Sequence, residues 1–260
     1  MSLKSIHSVK HSGHIGDILY SLNIIKSIVD KHGPIDLYLG FEVANQTPNH
    51  PSGKYTMTDK SFAYVLPLLE SLPYINKVYK HNGQHIDFDL DKFRLQGFNL
   101  ASNDLRKWYS YVYTDFEVNL SDKLIDSNKT YDYLKDAVVV NLTKRYRNTS
   151  INYQALEKLN RPIYFVGLDD EYVLFQLYQI EHKRIAVKDA LHMSNILNSC
   201  YLFIGNQSST FALAEQMKIN RALEVHNGCP NVITSGCNVY DYINNEGFKN
   251  LIKKHNGTTF

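Results

Sequence analysis

Two periods of hydrophobic and polar positions run through this chain, and an element begins or ends where one gives way to the other. Residues 4–10 (KSIHSVK) read as a short strand. Over residues 17–31, Ile18, Leu19, Leu22, Ile25, Ile28 and Val29 fall at helical spacing, and His32, Gly33 and Pro34 stop the run. Residues 35–41 (IDLYLGF) read as the next strand, which makes a β-α-β unit with short connections. The polar stretch 42–59 reads as a long surface loop, a kind of segment that often carries function. The pattern then predicts a helix over 60–72, kinked or split by Pro67, a strand over 75–81 and an aromatic-rich helix over 102–113.

The charged, turn-rich stretch 121–136 reads as a junction, after which the alternation restarts. Residues 137–142 (AVVVNL) and 162–168 (PIYFVGL) are continuous apolar runs, the pattern of strands buried on both faces. A helix is expected from Asp169, another over 187–198, a strand over 200–205, a helix over 208–217, a strand over 221–226 and a C-terminal helix over 239–254. The chain therefore reads as an α/β protein of two Rossmann-like lobes, residues 1–125 and 126–260, facing a cleft.

Composition changes little in this picture. Apolar content of 43% and charged content of 21% are those of a globular protein able to bury a core. A formal net charge of +2 is too mild for a nucleic-acid protein by itself, so nucleic acid is a less favoured partner. No run approaches the length of a membrane span, and the first residues lack the apolar core of a signal peptide, so a cytoplasmic protein is expected. Frequent Asn, Lys, Ile and Tyr suggest an AT-rich genome, such as that of a phage, a large virus or a low-GC bacterium. Cys200, Cys229 and Cys237 form no Cys-x-x-Cys pair, which argues against a disulfide framework or a structural zinc site.

Candidate chemistry lies at strand-to-helix turns. In YLFIGNQSSTFALAEQ a buried strand ends at Gly205, and Asn206, Gln207, Ser208, Ser209 and Thr210 lead into a helix. The first amides of a helix have no partner inside it and attract an anion such as a phosphate. In VVVNLTKRYRN a buried strand runs out into Lys144, Arg145 and Arg147, at the edge where this architecture binds ligands. Gly167 allows close backbone approach, and Asp169, Asp170 and Glu171 after it read first as helix-start acids. In HSGHIGDILYSL, Gly13 and Gly16 make an incomplete dinucleotide fingerprint, and Asp17 taken alone reads as a helix cap. The alternating Asp87, Asp89 and Asp91 read as an exposed edge rather than a metal site, and the aromatics of 108–113 as half-buried packing.

Taken in order, these blocks resemble the bacterial ADP-heptose:lipopolysaccharide heptosyltransferases of glycosyltransferase family nine. SGHIGDILYSL resembles the family's opening Gly-Asp turn, and VVVNL with RYRN resembles the first strand and basic loop of its second lobe. PIYFVGLDDE resembles its Gly-x-x-x-Glu block, and the stretch from Asp189 to Val225 resembles its late helix-strand-turn-helix block. The resemblance implies a GT-B fold, with the acceptor on the first lobe and a nucleotide-diphosphate sugar on the second. It implies metal-independent transfer, no cofactor beyond that co-substrate, and a saccharide or other hydroxyl acceptor. Asp17 then becomes the catalytic base, with Gly13, His14 and Gly16 on the acceptor side. Asn206, Gln207 and Ser208 stand where the family has Asp-Ser/Thr-Gly at the diphosphate, and Phe211 where it has a histidine. Two other readings stay open: a non-catalytic nucleotide-sugar-binding protein of the same fold, and a phage DNA-modifying glycosyltransferase.

Overall fold

The computed structural model describes residues 6–46, 50–127 and 129–256. Residues 4 and 5 of the expected first strand and residues 47–49 of the expected loop lie outside them. Strands β1 (His7–His11), β2 (Ile35–Leu39), β3 (Ile75–Lys80) and β4 (Phe88–Asp89) form a four-stranded parallel sheet in the order β3-β2-β1-β4. Helix α1 (Ile15–His32) connects β1 to β2, and α2 (Asp59–Glu70) precedes β3. The apolar stripe of α1 (Ile18, Leu19, Leu22, Ile25 and Ile28) is fully buried, as its spacing requires.

The second sheet holds β5 (Val138–Asn141), β6 (Ile163–Phe165), β7 (Lys183–Arg184), β8 (Leu202–Asn206), β9 (Arg221–Glu224) and β10 (Val239–Tyr242). All pairings are parallel, in the order β10-β9-β8-β5-β6-β7. Helices α3 (Asp169–Gln176), α4 (Ala190–Ser199), α5 (Ser209–Met217) and α6 (Asn245–His255) join or follow these strands. Side chains alternate between faces with the strand period of two. Val139 and Phe203 enter one core, while Val138, Val140, Leu202 and Ile204 enter another with Phe248, Leu251 and Ile252 of α6.

The first of these cores is shared between the lobes. It joins Val9, Ile18 and Leu37 of the first lobe to Phe203, Phe211 and Leu213 of the second. Helix α1 packs on α5, and α2 on α4. Gln216 of α5 fastens this contact by donating to the Leu19 carbonyl at 3.0 Å and to Asn23 Oδ1 at 2.8 Å. Leu124 and Ile125 in the chain between the sheets both donate their amides to the Gln216 carbonyl.

Three expectations change. The helix predicted over 102–113 is a single 3-10 turn, Leu105–Lys107, continued as irregular turns. Its aromatics and Arg106 are held by distant partners rather than by a helical face. The helix predicted over 239–254 begins only at Asn245: residues 239–242 pair with β9, and Asn244 caps the helix by accepting from the Gly247 amide. Pro67 does not split α2, which runs through it from Asp59 to Glu70. No helix among the described residues is long and apolar enough to cross a membrane.

Candidate active site at the facing switch points

Each sheet has one place where the chain departs in opposite directions. In the first, β2 lies on one side of β1 and β4 on the other; in the second, β6 and β8 flank β5. Crevices open beyond the C-terminal ends of strands at such points and bind ligands in open α/β sheets. The two crevices belong to helices whose N-termini meet: a Cβ added to Gly16 of α1 would lie 3.6 Å from Ser209 Cα of α5.

On the first lobe, the turn after β1 is fixed by a hydrogen-bonded chain. The Gly13 amide donates to His11 Nδ1 at 2.9 Å, so the ring proton sits on Nε2. That nitrogen donates to Tyr109 Oη at 2.8 Å, and Tyr109 donates onward to the Asp17 carbonyl at 3.2 Å. Burial holds the His11 imidazole below its ordinary pKa, which keeps this neutral form. Asp17 Oδ2 accepts from the His14 amide at 3.1 Å, half of a capping box. The carboxylate lies against Gly13, where an added Cβ would stand 2.9 Å from Asp17 Oδ2.

His14 stacks on His50, with ring centroids 4.0 Å apart. His14 Nδ1 and His50 Nε2 are buried without a hydrogen-bond partner. Burial lowers the pKa of both, and that of His50 falls to about 3, helped by His14 and Arg145. On β1 Lys10 is surrounded by carboxylates, with Nζ 2.7 Å from Glu42, 3.4 Å from Asp91 and 4.0 Å from Asp89.

On the second lobe the basic loop reaches toward those histidines. Arg145 contributes to the electrostatic surroundings of both, and Asp17 to those of Tyr146. Lys144 pairs with Asp170 at 2.6 Å and Arg147 with the buried Glu224 at 2.9 Å. Among the described residues Arg145 has no carboxylate within ion-pair distance. Ser208 caps α5 by accepting from the Phe211 amide at 3.2 Å, and its hydroxyl donates to Asn141 Oδ1 at 3.0 Å. That leaves the amides of Ser209 and Thr210 in the first turn of α5, where an intrahelical acceptor is missing.

Placement revises several expected roles. The Asn206 side chain is fully buried and turned into the 143–146 loop. Gln207 donates to the Cys229 carbonyl and Asn231 Oδ1 and accepts from the His226 amide, so it fastens the 226–231 loop. Arg147 is held by Glu224 and Tyr178 and does not face the crevice as a free cation. Gly167 lies against the Glu171 carboxylate, which caps α3 through the Leu168 amide, while Asp169 pairs with Arg184 at 2.6 Å. Phe211 is buried against Phe203. The sequence reading did not single out His50 or Tyr146.

The remaining candidates are held within the fold. Asp87 accepts from the Ser8 amide of β1, Asp89 from the Asp91 amide and Asp91 from the Ser12 amide, and no metal-binding group of three or more acidic, histidine or cysteine side chains occurs among the described residues. Trp108 and Tyr109 are buried against Phe93. Burial pushes the Cys200 thiol up to about 12, out of the reactive range. A cavity of about 540 Å³ lies elsewhere, between the 3-10 helix Tyr153–Leu159 and α6.

This arrangement of two parallel α/β lobes with facing switch points is a GT-B-like fold. The chain is similar in structure to a glycosyl transferase family 9 protein from Veillonella parvula, with a TM-score of 0.59 at 11% identity over 100% of this chain and 91% of that one. It is similar to E. coli heptosyltransferase WaaC with ADP (TM-score 0.58, 10% identity, 96% of this chain and 100% of that one). It is also similar to E. coli ADP-heptose lps heptosyltransferase II, with a TM-score of 0.57 at 9% identity over 92% of this chain and 90% of that one. No protein-family model matches the chain, and no curated protein matches it by sequence.

Proposed function

We propose that this chain is a glycosyltransferase that moves a sugar from a nucleotide-diphosphate sugar to an acceptor hydroxyl. The observation that carries this reading is the meeting of the α1 and α5 N-termini, which brings a carboxylate and an anion-binding helix end to one cleft. Two of the similar structures are named for ADP or ADP-heptose, which supports a nucleoside diphosphate as the leaving group.

The donor's diphosphate lies at the Ser209 and Thr210 amides with Arg145 beside it. Asp17 takes the proton of the acceptor hydroxyl as its oxygen attacks the anomeric carbon. The bond from that carbon to the diphosphate oxygen breaks, and its electron pair leaves with the diphosphate. The amides and the guanidinium meet the growing negative charge, so this reading calls for no metal ion. His14 and His50, neutral through burial, face the same space with unpartnered nitrogens suited to hydroxyls.

The test is Asp17→Asn, assayed with ADP-, UDP- and GDP-sugars and a pool of hydroxyl acceptors by mass spectrometry. Transfer is expected to fall about 10²- to 10⁴-fold, the usual contribution of a general base. Affinity for the nucleoside diphosphate is expected to stay close to that of the unaltered protein. Full turnover by the variant, or no binding of any of the three nucleotides by the unaltered protein, would sink the reading.

A further inference from the structure

Tyr146 has φ of +52°, in the left-handed region where a bulky side chain is an outlier. Such a conformation persists where its surroundings over-determine it. Here two anchors do so, one on each side. Asn206 Oδ1 accepts from the Thr143 amide at 2.9 Å, and Asn206 Nδ2 reaches the Thr143 carbonyl at 3.2 Å, Thr143 Oγ1 at 3.0 Å, the Tyr146 carbonyl at 3.3 Å and the Arg145 carbonyl. On the far side Glu224 binds Arg147 Nε at 2.9 Å and the Asn148 amide, and Tyr153 Oη holds the same carboxylate at 2.6 Å. Asn206 and Glu224 are register partners on β8 and β9, so the two anchors are themselves fixed side by side.

The chemistry sets the orientation of the Asn206 amide. The Thr143 N–H needs an acceptor and the three carbonyls need a donor, so oxygen faces the first and nitrogen the others. A carboxylate at this position has no proton to give those carbonyls and would repel them. These contacts call for an amide at residue 206.

Arg145 lies in the stretch that Asn206 holds, its own carbonyl among the acceptors. Of Lys144, Arg145 and Arg147 it is the basic residue without a carboxylate partner among the described residues. We propose that Asn206 is a positioning residue: it acts through the main chain of residues 143–146 to hold the Arg145 guanidinium in the cleft, set for a diphosphate before one arrives. This rests on the donor reading above, but it assigns diphosphate recognition to Arg145 and the α5 amides, with Asn206 behind them rather than in contact.

The test is a double-mutant cycle on the full chain, titrating ADP, UDP and GDP against Arg145→Ala, Asn206→Ala and the pair. Each single change is expected to weaken the tightest-binding nucleotide about tenfold or more, as loss of a charged hydrogen bond does. The pair is expected to be no weaker than the worse single change, because Asn206 works through Arg145. Losses that multiply would overturn the proposal. Should Asn206→Ala fold poorly, Asn206→Ala with Tyr146→Gly decides, since glycine takes the left-handed conformation freely. Recovered nucleotide affinity in that pair supports the proposal, and failure to recover it in a folded protein overturns it. A crystal structure of Asn206→Ala is independent of any ligand: Tyr146 leaving its left-handed φ supports the proposal, and an unchanged loop overturns it. If the unaltered protein binds none of the nucleotides while that loop does shift, the donor reading fails and the positioning role of Asn206 stands.

Discussion

Two polar assemblies lie on the boundary between the lobes, and they are built in opposite ways. Away from the cleft, Glu215 of α5 accepts from Arg106 at 2.7 Å, Lys218 at 2.6 Å and Arg221 at 2.8 Å, and Arg106 also pairs with Asp104 at 2.7 Å. The Ser235 hydroxyl and amide complete the Glu215 carboxylate, and the Ile233 carbonyl accepts from Arg106. In the cleft, by contrast, His14 and His50 keep buried nitrogens without partners. A buried polar atom left unpaired is costly and calls for an explanation, such as a group that arrives from outside. Where each buried cation meets a carboxylate, the assembly serves the fold; the unpaired nitrogens of His14 and His50 lie where the proposed function puts its substrates.

The largest expected effect breaks the first assembly. Glu215→Gln keeps the shape but leaves Arg106 with Asp104 alone and takes from Arg221 and Lys218 the carboxylate they pair with. Breaking a buried pair in this way costs about 3–5 kcal/mol. Urea unfolding should show a lower midpoint with a nearly unchanged slope. Nucleoside diphosphate affinity of the folded protein should stay within about twofold, since distant sites act independently. A variant as stable as the unaltered protein would mean that this cluster does not fasten the lobes.

The comparison also explains what could be read from the sequence. Strands such as residues 138–141 and 202–206 are legible because burial on both faces writes an unbroken apolar run, and the stripe of α1 because burial on one face writes a local period. The Gly-Asp turn and the helix-start serines were visible for the same reason: capping is a local event. The ion cluster was not visible, because Arg106 and Glu215 stand 109 residues apart. Nor could local spacing show that Arg106 and Tyr109 are held by long-range contacts, which is why 102–113 imitated a helix. The start of α6 was available in principle, since Asn244 precedes Asn-Glu-Gly in a capping position. His50 lies in a polar loop with no pattern of its own, and only the fold stacks it on His14.

An intermediate effect probes the packing behind Asp17. In Gly13→Ala the added Cβ would stand 2.5 Å from His11 Cε1 and 2.9 Å from both Asp17 Cβ and Oδ2. Both are backed by buried structure, so something must shift, at a cost of about 1–3 kcal/mol. Calorimetry should show Tm lowered by roughly 2–4 °C for each kcal/mol in a chain of this size. Transfer should fall further than stability alone explains, because the displaced group is the proposed base. An unchanged Tm with full transfer would show that the turn tolerates a side chain, and that the contact between Gly13 and Asp17 does not set the site.

The smallest expected effect reads the cleft histidines directly. Burial holds His14 and His50 below the ordinary value of 6.5, His50 at about 3, so the fold favours their neutral forms. Below pH 6.5 the unfolded chain takes up protons that the folded chain refuses, and stability is lost as pH falls from there toward 3. Asp17 opposes this shift at His14, while Arg145 and Arg94 reinforce it. His11, His192 and His255, also lowered by burial, add slope of the same sign. His50→Asn should therefore flatten, without abolishing, the fall in urea midpoint as the buffer is made more acidic than pH 6.5. A bound diphosphate would act the other way, since an anion beside an imidazole favours the charged form. Nucleotide binding should then take up a fraction of a proton, seen in calorimetry as a heat that depends on the buffer's ionisation enthalpy. Glu215→Gln should leave that uptake unchanged and His50→Asn should reduce it. The same uptake in both variants would separate the histidines from the diphosphate and leave the unpaired nitrogens to the acceptor.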